Sequence, residues 1–297
     1  MVDFIKLYWN DKSRLEPFVT DKTNFEVLYS VLEEHTGEIS YPKKTKIENM
    51  LVVVCKNSAY VKNSIHKLYN LLQNKSEHNH NEFNYSNLIW TIDKLSSQLT
   101  DLSSAVVTQL EFGFNITTEI PAEVIIENSV LMYDYKGYNH DKEYHGKGKL
   151  KQFDRSTYLI KVYDKAKQYG LEENILRFEL KLFRRNGIKN LGIIHLDDLK
   201  DKTLLKNLFD LTLKRFDDMI IIDSITESNN ISLMDQKSLG NYLNPNFWHN
   251  KFEKVHPEAR ARHKRKFNAL LIKYDLLKLK ETLRSALIEK FKVLINN

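Results

Sequence analysis

The sequence predicts an α+β fold: an antiparallel sheet of about five or more strands with flanking helices, followed by a mostly helical C-terminal region. Three observations carry this. Short segments with two-residue alternation crowd the first 186 residues. The sharpest are Tyr158–Lys165 and Leu176–Leu182, joined by a small polar loop. Beyond them, 196–222 and 257–294 carry apolar residues at helical spacing. The domains read as 1–186, an α+β unit, and 187–297, a helical, basic region.

In chain order, Val2–Trp9 alternates as an opening strand, and Asn49–Lys56 reads as a buried one. Ser58–His66 alternates too, with Tyr60, Lys62, Ser64 and His66 on one side. In Ser86–Leu99, Leu88, Ile92, Leu95 and Leu99 form a helical stripe. Val106–Ile116 returns to strand, and Pro121 opens a helix to about Met132. Residues 134–154 hold three of the nine glycines and read as a loop or irregular hairpin.

The 297 residues carry a net charge of +6, unevenly spread. From Lys251 onward there are 13 basic and 5 acidic side chains, against 32 and 34 before it. The densest part, Arg260, Arg262, Lys264, Arg265 and Lys266, fits phosphate contacts on a nucleic acid or a solvated helix face. Cys55 is the single cysteine, so no intrachain disulfide exists. With no secretory pattern at the start and no apolar run near eighteen residues, the chain reads as soluble and intracellular, without a membrane partner.

The chemistry concentrates on strand faces. In Gln109–Asn115, Leu110, Phe112 and Phe114 face the core, which puts Glu111 beside Gly113 and Asn115. A glycine there leaves room for a metal or a nucleic-acid backbone. Glu111 and Glu179 are placed to converge on one Mg²⁺ or Mn²⁺, since such hard cations take oxygen ligands. Asp3 is a third candidate, although simple alternation puts it on the face of Ile5 and Leu7. His66, beside Lys62 and Ser64, reads as a ligand, a phosphate contact or a hydrogen-bonded structural histidine. His78-Asn-His80 lies in a polar run and reads as a loop. Parity selects Tyr163 over Tyr158 as the nucleophile, with Lys161 and Lys165 as the cations favouring its phenolate. Arg177 and Lys181 share the polar face of the second strand and are candidate DNA contacts.

The order Asp3-Phe-Ile-Lys-Leu, Ser64-Ile-His-Lys-Leu-Tyr-Asn70, Leu110-Glu-Phe-Gly-Phe-Asn115, Leu159-Ile-Lys-Val-Tyr-Asp-Lys165 and Leu176-Arg-Phe-Glu-Leu-Lys181 resembles rolling-circle replication initiators. The likeness is to the phage gene II type and the plasmid Rep-trans family, over roughly residues 1 to 185. It implies a metal-dependent, origin-specific nickase that joins itself to a 5′-phosphate through tyrosine and leaves a 3′-hydroxyl primer. Tyr163 matches the family's tyrosine, and Glu111 and Glu179 match its acidic residues. A cytoplasmic setting in a bacterial host, a helicase partner and a homodimer are the associated expectations. The His-hydrophobe-His strand of many such nickases is absent, and the active strand offers one tyrosine. The residues alone leave two other readings open: a non-catalytic origin- or DNA-binding protein, and a phosphodiesterase using water.

Overall fold

The computed structural model describes residues 1–143, 148–254 and 256–297. Twelve strands occur among them: β1 (Val2–Trp9), β2 (Tyr29–Leu32), β3 (Ile39–Ile47), β4 (Met50–Val54), β5 (Ala59–Ser64), β6 (Val106–Thr117), β7 (Val130–Tyr133), β8 (His140–Glu143), β9 (Lys149–Asp154), β10 (Tyr158–Asp164), β11 (Ile175–Leu182) and β12 (Met219–Ile221). The helices are α1 (Leu15–Thr20), α2 (Ile65–Asn74), α3 (Tyr85–Gln98), α4 (Ala122–Val124), α5 (Lys165–Tyr169), α6 (Arg185–Lys189), α7 (Lys202–Asp217), α8 (Leu233–Tyr242), α9 (Pro245–Lys254), α10 (Pro257–Lys273) and α11 (Lys278–Asn296). Ten strands form one sheet in the order β2-β3-β4-β5-β1-β6-β11-β10-β9-β8. Every described pairing in it is antiparallel, so the α+β reading holds.

One face of this sheet is apolar and packs against helices. Ile5, Leu7, Val61, Leu110, Phe112, Phe114, Ile160, Phe178 and Leu180 meet Leu88 and Leu95 of α3, Leu205 and Phe209 of α7, and Leu283 and Phe291 of α11 in one core. Phe209 and Phe291 stack at 4.1 Å, and Phe114 meets both rings edge-on. Such pairs add to area burial and fix how the C-terminal helix docks behind the central strand. A second cluster joins Met132, Ile220 and Ile222 to Leu239, Trp248, Phe267 and Leu271 of the later helices. The helical stretch expected over 187–297 therefore supplies walls to both clusters.

Several boundaries differ from the sequence reading for physical reasons. The strand expected through His66 stops at Ser64, whose hydroxyl accepts from the Lys67 amide and caps α2. His66 thus stands on a helix. The helix expected from Pro121 to Met132 is a short helical and π-helical stretch ending at Ser129, because Val130–Tyr133 pairs with β12. Within 134–154, of the loop and the irregular hairpin that the sequence allows, the hairpin forms: β8 and β9 pair with one another and β9 with β10, with residues 144–147 outside the described ones. The strands β2 and β3 carry little apolar alternation: Ile39–Ile47 contains a proline and three lysines, which sheet edges accommodate.

Candidate active site

The polar face of the central strands is assembled by register. Across β10 and β11, Lys161 lies opposite Glu179 and Tyr163 opposite Arg177. Across β11 and β6, Arg177 meets Asn115, Glu179 meets Gly113 and Lys181 meets Glu111. Asp3 reaches the same face through an irregularity in β1. Val2 pairs with Phe112 while Ile5 pairs with Leu110, so one extra residue is accommodated between them. That bulge breaks the alternation that would have put Asp3 beside Ile5 and Leu7. Plain parity could not show it.

Asp3, Glu111 and Glu179 are all buried, and one oxygen from each lies within 4.8 Å of the others. The sequence-derived acidic trio is therefore brought together. An all-oxygen, buried set at this spacing fits a hard divalent cation. A cation already stands there: the Lys161 Nζ is 2.9 Å from Glu179 Oε1 and 3.4 Å from Glu111 Oε1. Lys181 Nζ sits 2.8 Å from Glu111 Oε1. Arg177 is buried, although expected as a DNA contact. Its guanidinium donates to Asp3 Oδ2 at 2.9 Å, Glu179 Oε2 at 3.0 Å and Asn115 Oδ1 at 2.9 Å.

Electrostatics divides the three carboxylates. Burial opposes ionisation of Glu179, but Lys161 and Arg177 outweigh it and hold its carboxyl well below the usual range. Asp3 is likewise lowered, burial being overcome mainly by Arg177. Glu111 is raised, first by burial and then by the charge of Glu179. Glu111 is thus the trio member whose charge is least well compensated.

The Tyr163 hydroxyl donates to Glu179 Oε2 at 3.2 Å. Burial and then the Glu179 charge push this phenol well above its ordinary value, so it is held protonated while only these groups surround it. Lys165 follows directly in the chain. Asp164 caps α5 by accepting from the Lys167 amide, which turns the chain out of β10 and buries Lys165. Its ammonium lies 5.5 Å from the Tyr163 ring centre and donates to Asn79 Oδ1 at 2.7 Å. Burial, then repulsion from Arg177, lowers its pKa to about 7.

His66 does not join the acidic trio. It is buried, stacks on Phe83 at 4.7 Å, and its Nε2 meets Asn81 Oδ1 at 2.7 Å. Burial lowers it to about 3, leaving a neutral ring in the hydrogen-bonded structural role. The His78–His80 segment is a loop, as its polarity predicts, but one folded onto the site. Asn79 is the residue the sequence reading missed. Its side chain donates to Asp3 Oδ2 at 2.6 Å and accepts from Lys165 and from the Tyr169 hydroxyl at 2.6 Å. Ser64, capping α2, also donates to Asp3. Gly113 lines the cavity beside the site and also has a packing role. A Cβ there would lie 2.8 Å from the Phe178 carbonyl oxygen and 3.2 Å from the Glu179 Cβ, so the glycine permits close packing of β6 on β11. A cavity of about 650 Å³ adjoins the cluster, lined in part by His66, His80, Asn115, Glu172, Arg177 and Lys290. On α10, Arg262, Arg265 and Lys266 are exposed and Arg260 and Lys264 half-buried.

Among the described residues, no helix is long and apolar enough to cross a membrane. No family model matches the chain, and no curated protein does. Among solved structures, that of a rolling circle replication initiator protein from Geobacillus stearothermophilus is similar in fold. The likeness covers 82% of this chain and 96% of that one, at 12% sequence identity and a TM-score of 0.46. The chemistry is therefore read from this chain's own residues.

Proposed function

We propose that the chain is a replication initiator that nicks one DNA strand by transesterification and retains the 5′-phosphate on Tyr163. The observation that carries this reading is the Tyr163 hydroxyl, 3.2 Å from Glu179, within a buried trio of carboxylates. A tyrosine so placed has a nucleophilic oxygen beside a set of groups suited to phosphate chemistry.

In the proposed reaction, the Tyr163 oxygen attacks the scissile phosphorus, and the bond to the 3′-oxygen breaks. The phenolic proton leaves the nucleophile, and the departing 3′-oxygen takes up a proton to become a free hydroxyl. Glu179 orients the phenol through its hydrogen bond, but its strongly lowered pKa makes it a weak base. Lys165, with a pKa of about 7 and its amine 5.5 Å from the Tyr163 ring centre, is better matched than Glu179 to take up the phenolic proton through an intervening water. Asn79 holds this lysine beside the tyrosine. A divalent cation such as Mg²⁺ or Mn²⁺, held by Asp3, Glu111 and Glu179, would polarise the phosphate and offset the charge developing on it. Lys161 is the neighbouring cation that balances this face in the meantime. One phosphodiester replaces another, so the same site can run the step backwards and rejoin the strand.

The exposed cations of α10 supply sequence-independent contacts to duplex phosphates in this reading. The test is incubation with Mn²⁺ and supercoiled DNA carrying the chain's own origin. Nicked circles with protein on the 5′ end, both abolished in Tyr163→Phe, support the proposal. Nicking that survives Tyr163→Phe points to water as nucleophile. Binding without cutting under any divalent ion leaves a non-catalytic origin-binding protein.

A further inference from the structure

The half of the sheet beyond the acidic cluster presents a second surface on the same face. Register places Tyr29, Lys44, Val53, Tyr60 and Tyr8 in one row across β2, β3, β4, β5 and β1. The adjacent row carries Lys46, Leu51, Lys62 and Lys6 and runs on to Gln109 of β6. These side chains alternate with Ile5, Leu7, Val52 and Val61, which belong to the core on the other face. The lysines and tyrosines of the two rows are exposed or half-buried, and Val53 is buried between them.

Among the described residues, Lys6, Lys44, Lys46 and Lys62 form no ion pair. Lys161 and Lys181, farther along the same face, are held by Glu111 and Glu179. Lys6 and Lys62 both lie on the Tyr60 ring, at 4.4 and 5.6 Å from its centre, and repel one another. Lys181 likewise covers Phe4 at 4.4 Å, where the surface meets Glu111. Unneutralised cations interleaved with flat rings attract a polyanion that also offers faces for stacking. Single-stranded DNA has both properties, because its bases are not hidden in a duplex. Five strand-to-strand steps separate β3 from β11, so the surface runs for roughly 24 Å toward the site.

We infer that this lysine–tyrosine face is a sequence-tolerant platform for single-stranded DNA, on which bases stack against Tyr60 and Tyr8 while Lys6 and Lys62 contact phosphates. The platform rests on the nickase reading for its purpose, that of guiding a melted strand to Tyr163. Its existence is tested without cleavage.

The experiment is a fluorescence-anisotropy titration of the full chain with a labelled oligothymidine, in chelator, at several salt concentrations. Tyr60→Leu is expected to weaken binding roughly tenfold, whereas Tyr60→Phe, which keeps the ring, binds like wild type. Replacing Lys6 and Lys62 together by glutamine should make the slope of log affinity against log salt shallower by about 1.4. Wild-type affinity in both Tyr60→Leu and the double lysine variant overturns the platform. If the oligonucleotide binds as described yet no nicking or attachment occurs, the platform stands and the nickase reading falls. If nicking proceeds while the platform variants bind normally, the reverse holds.

Discussion

Replacing Arg177 by methionine tests the electrostatic design of the site most severely. The guanidinium is 4% exposed, and its partners Asp3 and Glu179 are 5% and 3% exposed. Methionine fills much of the arginine stem's volume, so the loss is mainly of charge rather than packing. Asp3 would lose its principal cation and Glu179 one of its two, leaving buried charge poorly compensated at a cost of about 3–5 kcal/mol. Against a typical domain stability of about 5–15 kcal/mol, this is large. The sign with pH should also change. In the wild type, Asp3 and Glu179 are lowered, so their contribution is present above the ordinary carboxylate range and lost as pH falls through the lowered values. Without Arg177, burial dominates Asp3, its native pKa rises, and stability falls as pH climbs through that raised value. Urea unfolding at pH 5 and pH 8 reads both effects. A variant within about 1 kcal/mol of wild type, with the same pH trend, would refute the assignment of Arg177 as the counter-ion of this cluster.

Three further outcomes follow from the same geometry. Because Lys165 titrates near 7, the nicking rate should rise as pH climbs through about 7 and the amine loses its proton; Lys165→Arg should flatten that rise in a pH–rate profile. Asn79→Asp places a negative charge against Lys165, 2.7 Å from the present acceptor, so the midpoint of that profile should move upward; an unmoved midpoint would remove Lys165 from the proton path. Gly113→Ala forces a Cβ to within 2.8 Å of the Phe178 carbonyl oxygen in β11, and should cost about 1–3 kcal/mol in denaturant unfolding while displacing Glu179.

The fold class was legible because the central strands are strongly two-faced. Leu110, Phe112 and Phe114 alternate with Glu111 and Gly113, and Phe178 and Leu180 alternate with Arg177, Glu179 and Lys181, so parity alone predicts which face carries chemistry. The proximity of Glu111 and Glu179 follows from that parity once the two strands are neighbours. Asp3 shows where parity stops working, since a bulge reassigns a single residue to the opposite face without any sequence periodicity to mark it. Asn79 was invisible for a different reason. It comes from an irregular polar loop, and only the tertiary fold lays that loop over Asp3 and Lys165. His66 is structural, one of the roles its sequence context allows. It stands on a helix rather than the expected strand, because Ser64 ends that strand and caps the helix, turning the ring toward Phe83 and Asn81. The edge strands β2 and β3 escaped because the sheet edge tolerates the lysines and proline that disguise them.

The central claim is that the Tyr163 oxygen becomes bonded to DNA. The direct measurement is peptide mass spectrometry of the chain after reaction with origin DNA and Mn²⁺ and exhaustive nuclease digestion. The account predicts a 5′-phosphonucleotide adduct on the peptide containing Tyr163, absent when Tyr163→Phe is used. An adduct on another residue, or nicked DNA with no adduct anywhere, would contradict it.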